Sequence, residues 1–301
     1  MKKIITLLAA ALVAALPFAV AAEHPDAKVQ SREYKLSGFR SLDISWSYRV
    51  ELTQSGSYSV RVEAPESLME YLDIRVADGT LKLGVKGKIS GKKFDLSQNE
   101  VRVYISMPGL SALEMSGASR LTASGQFNAR GEFKLDLSGS TQASGLNIKA
   151  DEVEIDCSGA SKFDLSGNFD KLELDMSGAG TATLNGNVGR AEMELSGAAK
   201  LNQNGKIGTL EMEATGASKY NLNGSLGGFA LEASGAAKVN TLDAPADRVS
   251  VRLSGAANAS VDVRQELSVN LSGAAGCRYR AGAKLRITNQ TIARGASLTQ
   301  L

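Results

Sequence analysis

The stretch LELDMSGAG, residues 172–180, contains the pattern that decides the fold. Its three apolar residues alternate with Glu173 and Asp175, and this two-residue period is typical of a β-strand with one buried face. The Ser-Gly-Ala that follows is a turn signal, because glycine adopts the positive φ that a sharp bend requires. The stretch therefore predicts a strand that ends in a tight bend.

The same pattern occurs nine times along the chain, at spacings of 18 to 22 residues. So regular a period indicates a repeat architecture. We expect the first residue of each bend to belong to a structural turn ladder, with stacked hydroxyls that hydrogen-bond along the bend. These residues are Ser116, Ser138, Ser158, Ser177, Ser196, Thr215, Ser234, Ser254 and Ser272.

Each repeat contains a strand, the Ser-Gly bend, a second short strand and a second turn signal such as Asn185-Gly186. One unit cannot bury its own apolar side, whereas stacked units pair each strand with the same strand of the next coil. The sequence therefore predicts an all-β fold, a single-stranded parallel β-helix (β-solenoid) with coils of about 19–22 residues. A sandwich built from hairpins is the alternative.

Both ends of the chain carry weaker versions of the pattern. Residues 42–47 match residues 113–118, which predicts a degenerate first coil with Trp46 in the glycine position. The long segment between them reads as further strands, with Asp78-Gly79 as a hairpin turn. Arg294-Gly295-Ala296 predicts a worn last coil.

The expected domain organisation follows from these patterns. Residues 1–22 have the features of a secretory signal peptide, because Lys2 and Lys3 precede an apolar run and small residues. Cleavage is expected after Ala21 or Ala22, and an uncleaved anchor helix is the alternative. We expect a linker over 23–34, a less regular N-terminal β segment over 35–110 and repeated coils over 111–301, with 35–301 forming one continuous domain.

Charge and hydropathy narrow the classes of partner. Removing Lys2 and Lys3 from the 34 basic residues balances the 32 acidic ones, so a generic nucleic-acid role gets no support. No run after the signal peptide is apolar enough to span a bilayer, so no transmembrane segment is expected in the mature chain. The expected location is the periplasm, the outer-membrane surface or the medium.

Two segments resemble a known bacterial family. The F-x-x-L-D-I opening (residues 39–44) and the VRVYISMPGL segment (residues 101–110), which lead into the Ser-Gly-Ala repeats, are similar to the head GIN domain family. The resemblance covers roughly residues 35 to 300. It implies a β-helical protein of the cell envelope or the medium with an adhesin role, and it carries over no catalytic residues.

The chain offers few residues for catalysis. The only histidine is His24, beside the cleavage site, which excludes a Ser-His-Asp or Cys-His centre and a histidine-containing zinc site in the folded part. Cys157 and Cys277 lie about six coils apart, and coils spaced by about 4.8 Å put them roughly 30 Å apart. That exceeds disulfide reach, so no intramolecular bridge is expected. No catalytic, cofactor-binding or metal-binding residues are predicted.

Charged residues fall into columns of the repeat. An acidic column, two residues before each bend, comprises Glu114, Asp136, Asp156, Asp175, Glu194, Glu213 and Glu232. A second acidic column, two residues earlier, comprises Glu154, Glu173, Glu192 and Glu211. A basic column, four residues after the bend, comprises Arg120, Lys162, Lys200, Lys219 and Lys238.

The acidic column is the candidate binding face. It fits a surface for calcium or a cationic ligand, or paired carboxylates for glycoside cleavage. A solvated face that keeps a flat sheet soluble is the simpler interpretation. The calcium-binding nonapeptide repeat Gly-Gly-x-Gly-x-Asp does not occur.

Together these patterns predict an exported, non-enzymatic β-helical protein with an adhesin-like or envelope binding or structural role. A cell-surface glycan or an envelope protein is the expected partner. Two alternatives stay open: a polysaccharide-active enzyme, lyase or hydrolase, on the same fold, and a periplasmic module that self-assembles.

Overall fold

The computed structural model describes residues 28–87 and 100–301. The expected signal peptide and His24 lie outside these ranges. The N-terminal part of the described chain contains β1 (Val29–Tyr34), β2 (Ser41–Ile44), β3 (Tyr48–Gln54), β4 (Ser59–Pro65), α1 (Glu66–Met69), β5 (Leu72–Ala77), β6 (Thr80–Val85) and β7 (Val101–Met107).

The repeats that follow consist of strands alone. They are β8 (Ala112–Met115), β9 (Arg120–Ser124), β10 (Gln126–Asn128), β11 (Glu132–Leu137), β12 (Gln142–Lys149), β13 (Glu152–Cys157), β14 (Lys162–Ser166), β15 (Phe169–Met176), β16 (Thr181–Asn185), β17 (Val188–Leu195), β18 (Lys200–Ala214), β19 (Lys219–Ala233), β20 (Lys238–Leu253), β21 (Asn258–Leu271), β22 (Gly276–Ala281), β23 (Arg286–Ile292) and β24 (Ser297–Gln300).

Strands from successive repeats pair in parallel and in register, which confirms the predicted β-solenoid. Leu174 of β15 aligns with Ile155 of β13 on one side and with Met193 of β17 on the other. The stack has about ten turns. We call the strands before each Ser-Gly bend the first face, and the strands after it the second face.

The core is the narrow space between the faces. Leu172, Leu174 and Met176 are all at most 2% exposed, and they stack on the equivalent residues of neighbouring coils. Burial of one such side chain stabilises the fold by about 1.5–3 kcal/mol. The alternation read from residues 172–176 thus places every second side chain in this core.

Each Ser-Gly bend is bonded to the bend of the preceding coil. Ser177 N–H donates to the Cys157 carbonyl at 2.8 Å, and Ala179 N–H donates to the Gly159 carbonyl at 2.7 Å. The glycines of all nine bends have φ between 64° and 79°. A Cβ on Gly178 would lie 2.5 Å from the carbonyl oxygen of Gly159, so both conformation and space require glycine here.

The second turn signal behaves differently from the sequence expectation in the central coils. There β18, β19 and β20 run through it as continuous strands, so the two strands of those coils form one bent element. Gly205 and Gly224 have φ of 136° and 151°, which bends the chain while its pairing continues.

The N-terminal coils are stacked in a different order from the sequence. Leu42 of β2 aligns with Leu113 of β8, which confirms the degenerate first coil, and Trp46 has the positive φ of a bend glycine, at 77°. However, β2 also pairs with β6, and β3 pairs with both β7 and β9. The coil made by β6 and β7 therefore lies outside the β2–β3 coil, although it comes later in the chain.

Antiparallel strands extend this end of the solenoid. β4 pairs with β7, β1 pairs with β4, and β5 forms a hairpin with β6 through Asp78 and Gly79, as predicted. β1 lies within the segment expected to be a linker over 23–34. Its backbone is ordered because the outer edge of β4 offers hydrogen-bonding partners. Within residues 28–87 and 100–301, no helix is long and apolar enough to cross a membrane.

The far end follows the repeat to its last residues. β23 pairs with β21 and β24 pairs with β22, both in parallel. Gly295 has φ of 99°, which confirms the worn bend predicted at residues 294–296.

We expect Gly197→Ala to lower the free energy of unfolding by about 1–3 kcal/mol. Gly197 has φ of 64°, and its Cβ would lie 2.6 Å from the Gly178 carbonyl oxygen. Urea unfolding followed by circular dichroism measures the change. Gly228→Ala is the matched control, because its Cβ meets only Thr209 Cγ2 at 3.8 Å. Equal unfolding midpoints for the two variants would contradict the role of the bend.

Candidate functional site

The structure stacks the seven residues of the acidic column in one line on the first face. Asp175 aligns with Asp156 and with Glu194, and every other member aligns in the same way with its neighbours. Asp43 of β2 aligns with Glu114 and extends the line by one coil. Asp43 was not among the predicted residues of the acidic column. The match between residues 42–47 and 113–118 indicates it, because that match places Asp43 opposite Glu114.

The second acidic column runs beside the first. Glu173 aligns with Glu154 and Glu192, and Glu192 aligns with Glu211. Between the two columns lies an open groove of about 470 Å³, whose acidic lining is Glu173, Asp175, Glu192, Glu194, Glu211, Glu213 and Glu232. A second groove of about 340 Å³ shares Asp175 and Glu194 and reaches Asp136, Asp156 and the bend residues Ser158, Ser177 and Ser196.

Ion pairs distinguish the two columns. In the second column Glu154 pairs with Lys134 at 2.6 Å, Glu173 with Lys171 at 3.3 Å and Glu211 with Arg190 at 2.9 Å. In the part of the chain that the structure describes, the acidic column is paired only at its two ends.

At those ends, Asp43 lies 3.3 Å from Lys82 and Glu232 lies 3.1 Å from Arg252. Among the residues that the structure describes, the six members from Glu114 to Glu213 form no ion pair. The centre of the acidic column therefore carries uncompensated negative charge.

Partial burial and this charge together raise the pKa of three carboxyl groups. Partial burial is the largest cause of the raised pKa of Glu114, Asp136 and Asp175, and neighbouring carboxylates add to it. For Asp175 the carboxylates that contribute most are Glu194 and Asp156. Two charges one strand apart, at about 4.8 Å, repel by about 1 kcal/mol in water.

The acidic face presents a line of carboxylates on an open surface. In the described ranges, no three His, Cys, Asp or Glu side chains are placed to hold a metal ion. The groove lining contains no aromatic side chain. What the face can do is attract cationic groups.

The turn ladder lies beside the acidic column, at the bend. Its side chains are half-buried or exposed. The hydroxyls of Ser138, Ser177 and Ser272 donate to the carbonyl oxygens of Met115, Cys157 and Leu253 in the preceding coil, at 3.4–3.5 Å. We expected hydroxyl-to-hydroxyl bonds, but these hydroxyls reach the backbone instead.

The basic column lies beyond the bend, on the second face. Lys200, Lys219 and Lys238 align on three consecutive coils and are exposed. Gln142 and Thr181 interrupt the column on either side of Lys162, and Arg49 continues it before Arg120.

Both cysteines point inward, as predicted. Cys157 is 4% exposed and Cys277 is 1% exposed, and both thiols are free. Burial raises the pKa of both thiols, that of Cys277 to about 12. They are packed as small core side chains.

Comparisons with known proteins give one family and several structural likenesses. The sequence profile of a family described as "Putative auto-transporter adhesin, head GIN domain" matches residues 38–208 and 204–283. A search of curated proteins found no match. A "putative adhesin" from Parabacteroides distasonis ATCC 8503 is 16% identical, covers 92% of this chain and 98% of its own, and has a TM-score of 0.49.

Two further solved structures are similar. A "putative adhesin" from Parabacteroides merdae ATCC 43184 is 15% identical, covers 92% of this chain and 97% of its own, and has a TM-score of 0.49. A "Putative lipid binding protein" from Parabacteroides distasonis ATCC 8503 is 17% identical, covers 92% of this chain and 98% of its own, and has a TM-score of 0.48.

We expect Asp175→Asn to stabilise the fold near neutral pH. A raised folded-state pKa means that Asp175 favours folding when protonated and that this contribution is lost as pH rises through the raised value. Thermal unfolding from about pH 4 to about pH 7 should therefore show a smaller fall in midpoint for the variant.

Glu232→Gln is the matched control, because that carboxylate is paired with Arg252. It should not raise the midpoint. The explanation fails if the two variants respond to pH alike.

We expect both thiols to resist alkylation in the native protein. Iodoacetamide at about pH 8 should modify Cys157 and Cys277 only after denaturant is added, since burial shields them and disfavours the thiolate. Mass spectrometry counts the adducts. Rapid native labelling of either thiol would show that its coil opens.

Proposed function

Because the chain belongs to the head GIN domain family, we propose that it is an exported, adhesin-like β-solenoid that binds its partner through the acidic column and acts without catalysis. The observation that carries this proposal is the run of six carboxylates, from Glu114 to Glu213, that lack an ion pair within the described chain. A charged face with no partner inside the molecule is free to bind one outside it.

The proposed partner presents amino groups, on a protein or on a glycan of the cell surface. Approach of an ammonium group to Asp175 relieves the like-charge repulsion from Glu194 and Asp156, which adds to burial in raising the pKa of Asp175. Binding of this kind depends on ionic strength, because exposed charges are screened over about 8 Å at physiological salt.

The expected signal peptide supports a role outside the cytoplasm. The signal peptide expected over residues 1–22 would direct the chain to the periplasm, and the family description points to an extracellular or surface location. Two buried free thiols are compatible with an oxidising compartment, because neither is accessible for exchange.

The polysaccharide-active alternative gains no support from the groove geometry. An active groove would combine carboxylates with sugar-binding aromatic side chains, whereas Arg252 is the only basic side chain and no aromatic residue lines the acidic groove. The regular alignment of β13, β15 and β17 also leaves no long loop beside it.

We expect neutralisation of the acidic column to abolish partner binding. The mature chain and the variant Asp156→Asn/Asp175→Asn/Glu194→Gln would be screened on arrays of glycans, including glucosamine polymers, and of matrix proteins. The wild type should bind amine-bearing ligands at low salt and the variant should lose at least about tenfold in affinity.

The matched control is Glu154→Gln/Glu173→Gln/Glu211→Gln, which removes three carboxylates that are already paired within the chain. This control should retain binding. Equal binding by the acidic-column variant, or no binding to any array member, would contradict the proposal. Protease digestion of whole cells tests surface exposure in parallel.

A further inference from the structure

Three lysines of the basic column form an uncompensated positive surface. Lys200, Lys219 and Lys238 align on consecutive coils of β18, β19 and β20, and all three are exposed. In the described part of the chain none of them forms an ion pair. Lys162, two coils away, is likewise exposed and without one. The second face therefore has its own charged line, opposite in sign to that of the first.

The surface around these lysines is flat and polar. Asn221 Nδ2 donates to Asn202 Oδ1 at 3.0 Å, and Asn204 Nδ2 donates to Asn185 Oδ1 at 2.8 Å. These stacked amides satisfy one another along the stack. Lysine ammonium groups carry three donors and no acceptor, so they cannot pair with one another in this way and stay available to acceptors on another molecule.

The spacing of the lysines matches that of the acidic column. Both columns take one residue from each coil, so both repeat at the spacing of parallel strands, about 4.8 Å. Asp156, Asp175 and Glu194 occupy consecutive coils just as Lys200, Lys219 and Lys238 do. A second copy of the chain presents charges at this same spacing by construction.

We propose that the lysines at positions 200, 219 and 238 dock on the acidic column of a second copy of this chain, so that two solenoids lie side by side. This docking rests on the proposed function, in which the acidic column binds a cationic partner, and it identifies that partner as the lysines of a second copy. Each ammonium group meets one carboxylate, and both lines of like charge lose their mutual repulsion. Within one chain the two lines lie on different faces and form no ion pair with each other.

Two charge-reversed variants test the contact. One is Lys200→Glu/Lys219→Glu/Lys238→Glu, which removes the basic line, and the other is Asp175→Lys/Glu194→Lys/Glu213→Lys, which removes the acidic line. Mass is measured by light scattering at an ionic strength of about 0.01 M, where the screening length is about 30 Å, and at about 1 M, where it is about 3 Å.

The wild type should exceed the monomer mass at low salt and return to it at high salt. Each variant alone should be monomeric. An equimolar mixture of the two variants should form a complex at low salt, because each supplies the line that the other lacks. Circular dichroism of each variant establishes that it is folded.

The matched control is Lys149→Glu/Lys206→Glu/Lys284→Glu, which makes the same change of charge at exposed lysines outside the basic column. It should associate like the wild type. A monomeric wild type at low salt, or folded variants that do not complex when mixed, would overturn the inference. If the wild type self-associates but binds no member of the arrays, only the proposed glycan and matrix ligands are contradicted. If it binds an array member but stays monomeric at low salt, only the proposed docking of a second copy is contradicted.

Discussion

The hydrogen bond between consecutive Ser-Gly bends is the contact on which the rest of the structure depends. Ala179 N–H reaches the Gly159 carbonyl at 2.7 Å because the adjacent Gly178 has no Cβ, which would lie 2.5 Å from that carbonyl oxygen. The same positive φ turns the chain from the first face to the second. Glycine thus sets both the corner of the coil and the closeness of the stack, which explains why it recurs at all nine Ser-Gly bends.

Exact stacking has an electrostatic consequence. Once the bends fix the register, residues at the same position of successive repeats form a straight line at strand spacing. A carboxylate such as Asp175 therefore lies between two other carboxylates, one on each neighbouring coil. The second acidic column accommodates this with ion pairs such as that of Glu154 with Lys134. Among the described residues, the acidic column has ion pairs only at its ends. The candidate site is therefore a property of the repeat, spread over many coils, rather than of one pocket.

The N-terminal region shows how a repeat can be modified without loss of register. Trp46 occupies a bend position with a φ of 77°, where glycine is usual, and the chain still aligns with the next coil. The later strands β6 and β7 then add outside this coil, and the antiparallel strands β4, β1 and β5 extend the sheet beyond them. Antiparallel pairing changes the geometry of the edge, which interrupts the continuous parallel stacking at that end.

The sequence by itself determined the solenoid, the inward residues, the columns of charge and the bend positions, because each depends only on the local period and on glycine chemistry. The alternation around Asp175 was sufficient to place it on an outer line. Tertiary structure alone decided the stacking order of the first coils, the ordering of residues 29–34 as a strand, and which carboxylates find a cation. Those outcomes depend on contacts between residues distant in the chain. A periodic sequence does not specify which repeat packs against which other repeat.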